Sequence, residues 1–428
     1  MFWHPWMVAL LGVAVWLIIW LVAPLEAFVE LDSGALIFIG ISYVAFLTGC
    51  MVAELTRSSV VTDIFKRQAS PWNGAFQPKI YWWCIAISVA AVALRTFDRL
   101  VVRGIDYSLG NNEVREQLTA STATPLSALS ALVIPFCFLP LVLVLGSRLT
   151  GNRTFYLALA VIVFCLPSIE GLAQLSRSTL IISLLLALVT VSCMKFDGKL
   201  FVPSLVLPAI VGVIALSLVS TAIFGARLGE FGRTINDSVV ESGYAELIRP
   251  TIAAQRDMVA GEPVRQAVYN TALPNAMYYV HGLYEFSVLW TRPDTQYFGY
   301  GAYTFFPYIK LYSIITGDRS SIAFDEQLLF DRVGVFSTFF GPWWIDFGWL
   351  GVVLLFAIGI IVTRLADRSR LGELNTLPLY LFTLGIIFYM PITNIVQSGL
   401  GSGLVDQSQK MTVAARAMAE RKTVGHRS

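Results

Sequence analysis

His281 and Glu285 stand four residues apart in the stretch YYVHGLYEF, so on a helix they share one face. An imidazole titrating near neutral pH can take a proton from a hydroxyl, and a carboxylate one turn away can orient it. A lone histidine is more often structural than catalytic. One histidine with one glutamate is too few ligands for a metal ion, so no metal is expected. Tyr279 lies just before them in a run dense in Tyr, Phe and Trp. Flat rings suit the apolar faces of sugars; the competing reading is an aromatic belt at a membrane surface.

Arginines supply a second kind of chemistry. Between residues 224 and 336 lie eight arginines, one lysine and twelve acids. A guanidinium grips phosphate through two parallel N–H···O bonds, which an ammonium does not. Arg227, Arg233, Arg249 and Arg332 are therefore candidates for an anionic ligand, against the alternative of ordinary solvated ion pairs. Arg177, in SRSTL, opens an apolar helix after a short polar patch, with Glu170 before it. An ionisable group at membrane depth is a functional candidate, whereas an arginine at the surface simply reaches the headgroups. The stretch DRLVVRGIDYSLGNNEVREQL carries Asp98, Arg99, Arg103, Asp106 and Arg115, either a further substrate clamp or a solvated loop. Asp346, in WWIDFGWLG, is a substrate-binding or catalytic carboxylate, or else the structural partner of an arginine such as Arg332.

The elements that must hold these residues are membrane helices. The chain has 428 residues, 56% hydrophobic and 14% charged, against about 25% charged in soluble domains. Nine continuous apolar segments, about 6–26, 34–53, 80–95, 126–147, 155–172, 179–194, 201–223, 340–365 and 376–396, predict an all-α polytopic integral membrane protein and not a barrel. The segment 335–365 is longer than a bilayer needs. Residues 335–348 are thus expected to lead in from outside, broken at Gly341-Pro342, with the span starting near Phe347. Basic residues in 55–79, 147–153, 195–199 and 364–374 orient those segments to the cytoplasm, with the N-terminus inside. A basic tail that also prefers the cytoplasm asks for one more span, so about ten (9–12) are expected. The organisation is then an N-terminal bundle over 1–223 with an external loop at 96–125, a large external and mostly helical region over 224–336, further spans over 337–396, and a basic tail over 397–428. A region of that length without structure of its own would be unusual in a compact protein. Five cysteines lie in or beside apolar segments, without metal spacing, and read as small buried residues. No GK[ST] phosphate loop, HExxH, GxSxG or nucleotide fingerprint occurs, so neither ATP nor any other cofactor is expected, and no nucleic acid.

Four features, in order, resemble the bacterial oligosaccharide repeat-unit polymerases (O-antigen or exopolysaccharide polymerases). They are RGIDYSLGNNEVR after an early span, SRSTL opening a middle span, the large external region, and FSTFFGPWWIDFGWLG before a late span. The last matches the family pattern at Thr338, Phe339, Asp346, Phe347, Gly348 and Gly351. Some members carry an arginine, ten residues and a glycine in outer loops; Arg99 and Gly110 have that spacing, whereas Arg233 and Gly243 enclose nine. The resemblance implies a GT-C-like, metal-independent glycosyltransferase at the periplasmic face of the bacterial inner membrane. Its donor and acceptor would be glycans on undecaprenyl pyrophosphate, in contact with membrane lipids and with a chain-length regulator as partner. It further implies Arg177, Arg227, Arg233 and Arg249 on pyrophosphate, His281 or Asp346 as base or orienting group, and Arg332, Asp106, Arg115, Glu285 and Tyr279 on substrate. An O-antigen ligase would share this layout. A glycan transporter would predict an internal repeat, which the sequence lacks.

Overall fold

The computed structural model describes residues 3–57, 74–109, 113–114, 117, 124–148, 151–173, 178–195, 203–229, 232, 234–292, 299–305, 309, 312, 316–317, 336–370 and 376–394. The helices begin with α1 (Pro5–Val22), α2 (Ser33–Leu55) and α3 (Pro78–Phe97), followed by α4 (Pro125–Val133), α5 (Leu139–Gly146), α6 (Arg153–Ala173), α7 (Ser178–Lys195) and α8 (Pro203–Gly229). Short α9 (Ile235–Glu241) and α10 (Ile252–Ala260) precede the long α11 (Pro263–Thr291). The chain closes with α12 (Phe340–Phe347), α13 (Leu350–Arg370) and α14 (Leu377–Tyr389). Among the described residues five helices are long and apolar enough to cross a membrane: Pro5–Val22, Ser33–Leu55, Arg153–Leu172, Val206–Ile223 and Leu350–Arg370. Their outward faces carry large apolar side chains, such as Leu207, Ile210, Val211 and Ile214 of α8, which water would not favour but hydrocarbon does.

Local chemistry sets the helix starts. Proline occupies the first turn of α1, α3, α4 and α11, where its missing N–H leaves no bond unmade. Asp32 caps α2 by accepting from Gly34 N–H at 2.7 Å and Ala35 N–H at 3.2 Å. The apolar segment 126–147 is two helices, not one. Pro135 and Pro140 lie within it, and the five residues Ile134–Phe138 between α4 and α5 adopt 3₁₀ geometry. The predicted break at Gly341-Pro342 is likewise displaced. Pro342 sits in the first turn of α12, where it is tolerated, and the break falls at Gly348, whose φ of 52° ends the helix before α13. Two short two-stranded pairings supplement the helices. β1 (Leu25–Ala27) is antiparallel to β4 (Ile248–Pro250), with Glu26 opposite Arg249; β2 (Gly74–Ala75) is parallel to β3 (Ser147–Arg148).

α2 and α13 make the closest helix pairing. Gly49 faces the Phe356 carbonyl, and Gly359 faces the Phe46 carbonyl; neither position has room for a side chain. A second sub-bundle of α3, α5 and α6 has its own core around Tyr81, Val144, Ala160 and Val163, and Tyr81 donates to the Tyr156 carbonyl at 2.8 Å.

One end of α1, α2 and α13 is tied by a polar cluster. Arg57 meets Asp367 through two hydrogen bonds, of 2.6 and 3.1 Å. His4 Nδ1 lies 2.7 Å from Glu54, and Arg370 donates to His4 Nε2 at 3.2 Å. An Nε2 that accepts requires the proton on Nδ1, so this is a neutral imidazole donating to a carboxylate. Burial, and then the Arg370 charge, hold the imidazole below its ordinary value of 6.5. The sign follows: below pH 6.5 the unfolded chain binds a proton that the folded chain resists. Stability contributed here is present above about pH 6.5 and is lost as the pH falls below it. The melting temperature in detergent is expected to be flat above neutrality and to decline on acidification. His4→Gln should flatten that decline; an unchanged pH slope in this variant would exclude His4 as its source.

At the other end of the same helices α11 is clamped down. Trp16 Nε1 donates to the Tyr279 carbonyl at 3.1 Å, Trp20 Nε1 to the Tyr284 hydroxyl at 3.0 Å, and the Asp32 N–H to Ser287 Oγ at 2.6 Å. Ser220 of α8 bonds Asn275 at 3.1 Å. The second half of α11 is therefore buried from Val280 to Ser287. Its Tyr, Ser and Asn side chains lower its hydropathy while making these bonds.

Candidate anion site at the end of α3

Arg95, Arg99 and Arg103 recur every fourth residue, which aligns them along one side of a helix. After α3 the backbone widens into a π-turn over Asp98–Val102, closed by Arg103 N–H to the Asp98 carbonyl at 2.8 Å. Gly104, at φ 62°, then turns the chain so that Ile105 N–H reaches the Arg99 carbonyl at 2.9 Å. The result is two-faced. Leu100, Val101 and Val102 are exposed, while Asp98 and Arg99 point inward and are buried. Hydrocarbon outside and charge inside is the arrangement a membrane imposes, and π-turns concentrate at functional positions.

Two carboxylates face the three guanidiniums. Glu170, near the end of α6, accepts from Arg95 Nε at 3.1 Å and, with the same Oε1 atom, from Arg99 Nη1. Asp98 accepts from Arg103 Nε at 2.9 Å through Oδ2 and from the Thr124 hydroxyl through Oδ1. Thr124 also caps α4, accepting from Ser127 N–H at 3.1 Å. Among the described residues, three positive groups against two negative ones leave one unit of positive charge. Arg99 is 6% exposed, and its Nε is buried without a hydrogen-bond partner. The Arg95 and Glu170 side chains keep 21% and 14% exposure, so the pair is not fully enclosed. A surplus of buried, directed N–H groups on an apolar scaffold is suited to an oxyanion, because a charge pair interacts more strongly away from water. No group of three His, Cys, Asp or Glu side chains that could hold a metal occurs among the described residues.

Of the residues singled out in the sequence, Asp98, Arg99, Arg103 and Glu170 belong to this site; the others fall elsewhere. Asp346 is fully buried in α12, and both its oxygens accept from backbone: Oδ1 from Tyr303 N–H at 3.0 Å and Oδ2 from Thr304 N–H at 2.5 Å. Its carbonyl accepts from Tyr300 N–H at 3.1 Å. Asp346 thus pins the turn 299–305 onto α12. Burial pushes its carboxyl above the usual carboxylate range, against the opposing pull of these hydrogen bonds. His281 is also fully buried. Its Nδ1 lies 3.0 Å from the Met277 carbonyl, and Nε2 accepts from Phe336 N–H at 3.4 Å, among the rings of Tyr244, Tyr278 and Phe336. Glu285 is buried one turn along, as the spacing predicted. Tyr279 is half-buried, its carbonyl taken by Trp16. Arg249 donates to the Ala245 carbonyl at 2.6 Å and lies 5.1 Å over the Phe28 ring, in β4. Asp106 is exposed and closes a turn by accepting from Ser108 N–H at 2.9 Å and the Ser108 hydroxyl at 2.6 Å; those bonds hold its carboxyl below the usual range. Arg227 continues α8, which runs past 223 to Gly229. Arg115, Arg177, Arg233 and Arg332 lie outside the described residues.

The structure therefore groups His281 and Glu285 on α11, places Asp346 on neighbouring α12, and assembles a separate charged site from Arg95, Arg99, Arg103, Asp98 and Glu170. The fold defines an α-helical membrane protein with a buried charged site where α3 meets α6. No family model, curated protein or solved structure matches the chain.

Proposed function

We propose that this protein is a membrane glycosyltransferase that polymerises oligosaccharide repeat units carried on undecaprenyl pyrophosphate, at the periplasmic face of the inner membrane. The observation that supports this most is the surplus of arginine among the described residues, at Arg95, Arg99 and Arg103, beside the exposed apolar turn Leu100–Val102. A prenyl pyrophosphate needs both features together: apolar surface for its chain and guanidiniums for its head. The sequence resemblance supplies the reaction. An acceptor hydroxyl oxygen forms a bond to the donor's anomeric carbon, while the bond from that carbon to the pyrophosphate oxygen breaks. The electron pair leaves with pyrophosphate, and the hydroxyl proton passes to a base. Arginines aimed at the departing oxygens stabilise the charge that develops there without a metal. The partners of His281 and Asp346 favour positioning roles for both, the first seating α11 and the second fixing the turn 299–305. On this reading about ten spans in a GT-C-like layout surround the site, with the α9–α11 layer on the external side.

The test is reconstitution. Purified full-length chain in nanodiscs, given one lipid-linked repeat unit and EDTA, is expected to convert it to a ladder of longer products. A substrate that stays at one unit, with chain shown to be folded, would overturn the assignment. Transfer of one unit onto a lipid A core without a ladder would instead identify a ligase.

A further inference from the structure

Glu170 does something that neither a buried arginine pair nor an isolated carboxylate requires. One oxygen, Oε1, accepts from two guanidiniums at once, Arg95 Nε at 3.1 Å and Arg99 Nη1. Two donors converging on one anionic oxygen is the pattern a phosphate oxygen takes among arginines. Yet a single carboxylate leaves the donor set unfilled, since Arg99 Nε remains buried and without a partner. A tetrahedral oxyanion at the same place has oxygens to spare for it. Glu170 also sits where it can move. It lies three residues beyond Pro167, which interrupts the hydrogen-bond ladder of α6, and three residues before the end of that helix at Ala173. Its side chain keeps 14% exposure, so it is not sealed in on every side. Asp98, by contrast, is fully buried and bonded to Arg103 and Thr124.

We propose that Glu170 is a built-in counter-anion: it holds Arg95 and Arg99 together while the site is empty and is displaced when a phosphate or pyrophosphate group arrives. The inference deepens the reading above, in that the natural ligand would be a prenyl pyrophosphate, but competition between Glu170 and an anion does not depend on which reaction follows. Its physical basis is that removing both guanidiniums' partner in a buried site is costly, so an internal carboxylate keeps the empty protein stable at the expense of affinity.

The experiment uses full-length protein in detergent, with binding read by thermal stabilisation and by tryptophan fluorescence. The probes are inorganic pyrophosphate, farnesyl pyrophosphate and farnesol. Glu170→Gln keeps the length and one acceptor oxygen but removes the competing charge. It is expected to bind pyrophosphate at least tenfold more tightly than wild type, and Arg99→Gln to bind it at least tenfold more weakly. Glu170→Asp keeps the charge on a shorter arm and should fall between wild type and Glu170→Gln, which preserves the test if the glutamine variant is unstable. Tightening with inorganic and farnesyl pyrophosphate alike assigns the site to the anion alone; tightening confined to farnesyl pyrophosphate assigns it to a lipid headgroup. Either supports the proposal. Equal or weaker pyrophosphate binding by both Glu170 variants overturns it, whatever the reconstituted polymerisation shows.

Discussion

Gly359→Leu leaves little folded protein in the membrane, and what remains melts at least 10 °C lower than wild type. The reason lies in backbone geometry. Gly359 of α13 packs on the carbonyl of Phe46, while Gly49 of α2 packs on the carbonyl of Phe356, so each glycine is a socket for the other helix's main chain. A flexible side chain can turn away from an added Cβ, whereas a carbonyl in a helix cannot. Ordinary overpacking costs about 1–3 kcal/mol. Here the two helices must separate along their shared face, which also loosens the Arg57–Asp367 bridge between them. Gly49→Leu should behave alike. Gly40→Leu is the control, because it lies on the same helix α2 and an added Cβ meets nothing within 4 Å. The measurement is yield after size-exclusion chromatography together with the melting temperature of each variant. A Gly359→Leu protein with wild-type yield and melting temperature would show that the pairing of α2 and α13 is looser than this packing requires.

That crossing was not visible in the sequence, although both helices were. The apolar segments 34–53 and 179–194 fall within Ser33–Leu55 and Ser178–Lys195 because an unbroken apolar run that must satisfy its own backbone has few alternatives to helix. Which glycine meets which carbonyl depends on the rotation of each helix, and composition carries no record of it. The charged site was legible only in part: Asp98, Arg99 and Arg103 stand out as a candidate clamp, whereas Arg95 and the tie to Glu170 do not. Charge at Arg95 and Asp98 looked like the end of a span, whereas Leu100–Val102 continues the apolar surface for another turn. The signal was present in the i, i+4, i+8 spacing of Arg95, Arg99 and Arg103. The π-turn that rotates Asp98 and Arg99 inward could not be read from residue types. α11 was legible as a helix but not as a buried one. Its His, Glu and Asn side chains read as external until partners such as Trp16 and Trp20 of α1 and Ser220 of α8 are known.

Asp346→Ala carries the second large effect, and it separates chemistry from architecture at the residue that looks most catalytic in the sequence. The carboxylate accepts from Tyr303 and Thr304 N–H groups within a fully buried setting. Deleting it strands two buried donors, at about 1–3 kcal/mol each. The turn 299–305 then keeps two main-chain bonds to α12, Tyr300 N–H to the Asp346 carbonyl at 3.1 Å and Gly299 N–H to the Ile345 carbonyl at 3.4 Å. Asp346→Asn is the sharper probe. It keeps one acceptor oxygen for one N–H and turns an NH₂ group toward the other, setting donor against donor. Both variants are expected to lose several degrees of melting temperature, Ala no less than Asn. Any transferase activity should fall with the folded fraction, remaining within about threefold of wild type per folded molecule, since a loss of about 0.6 kcal/mol corresponds to roughly that factor. An Asp346→Asn protein with wild-type melting behaviour and no activity would reverse the assignment and make this carboxylate a participant in the reaction.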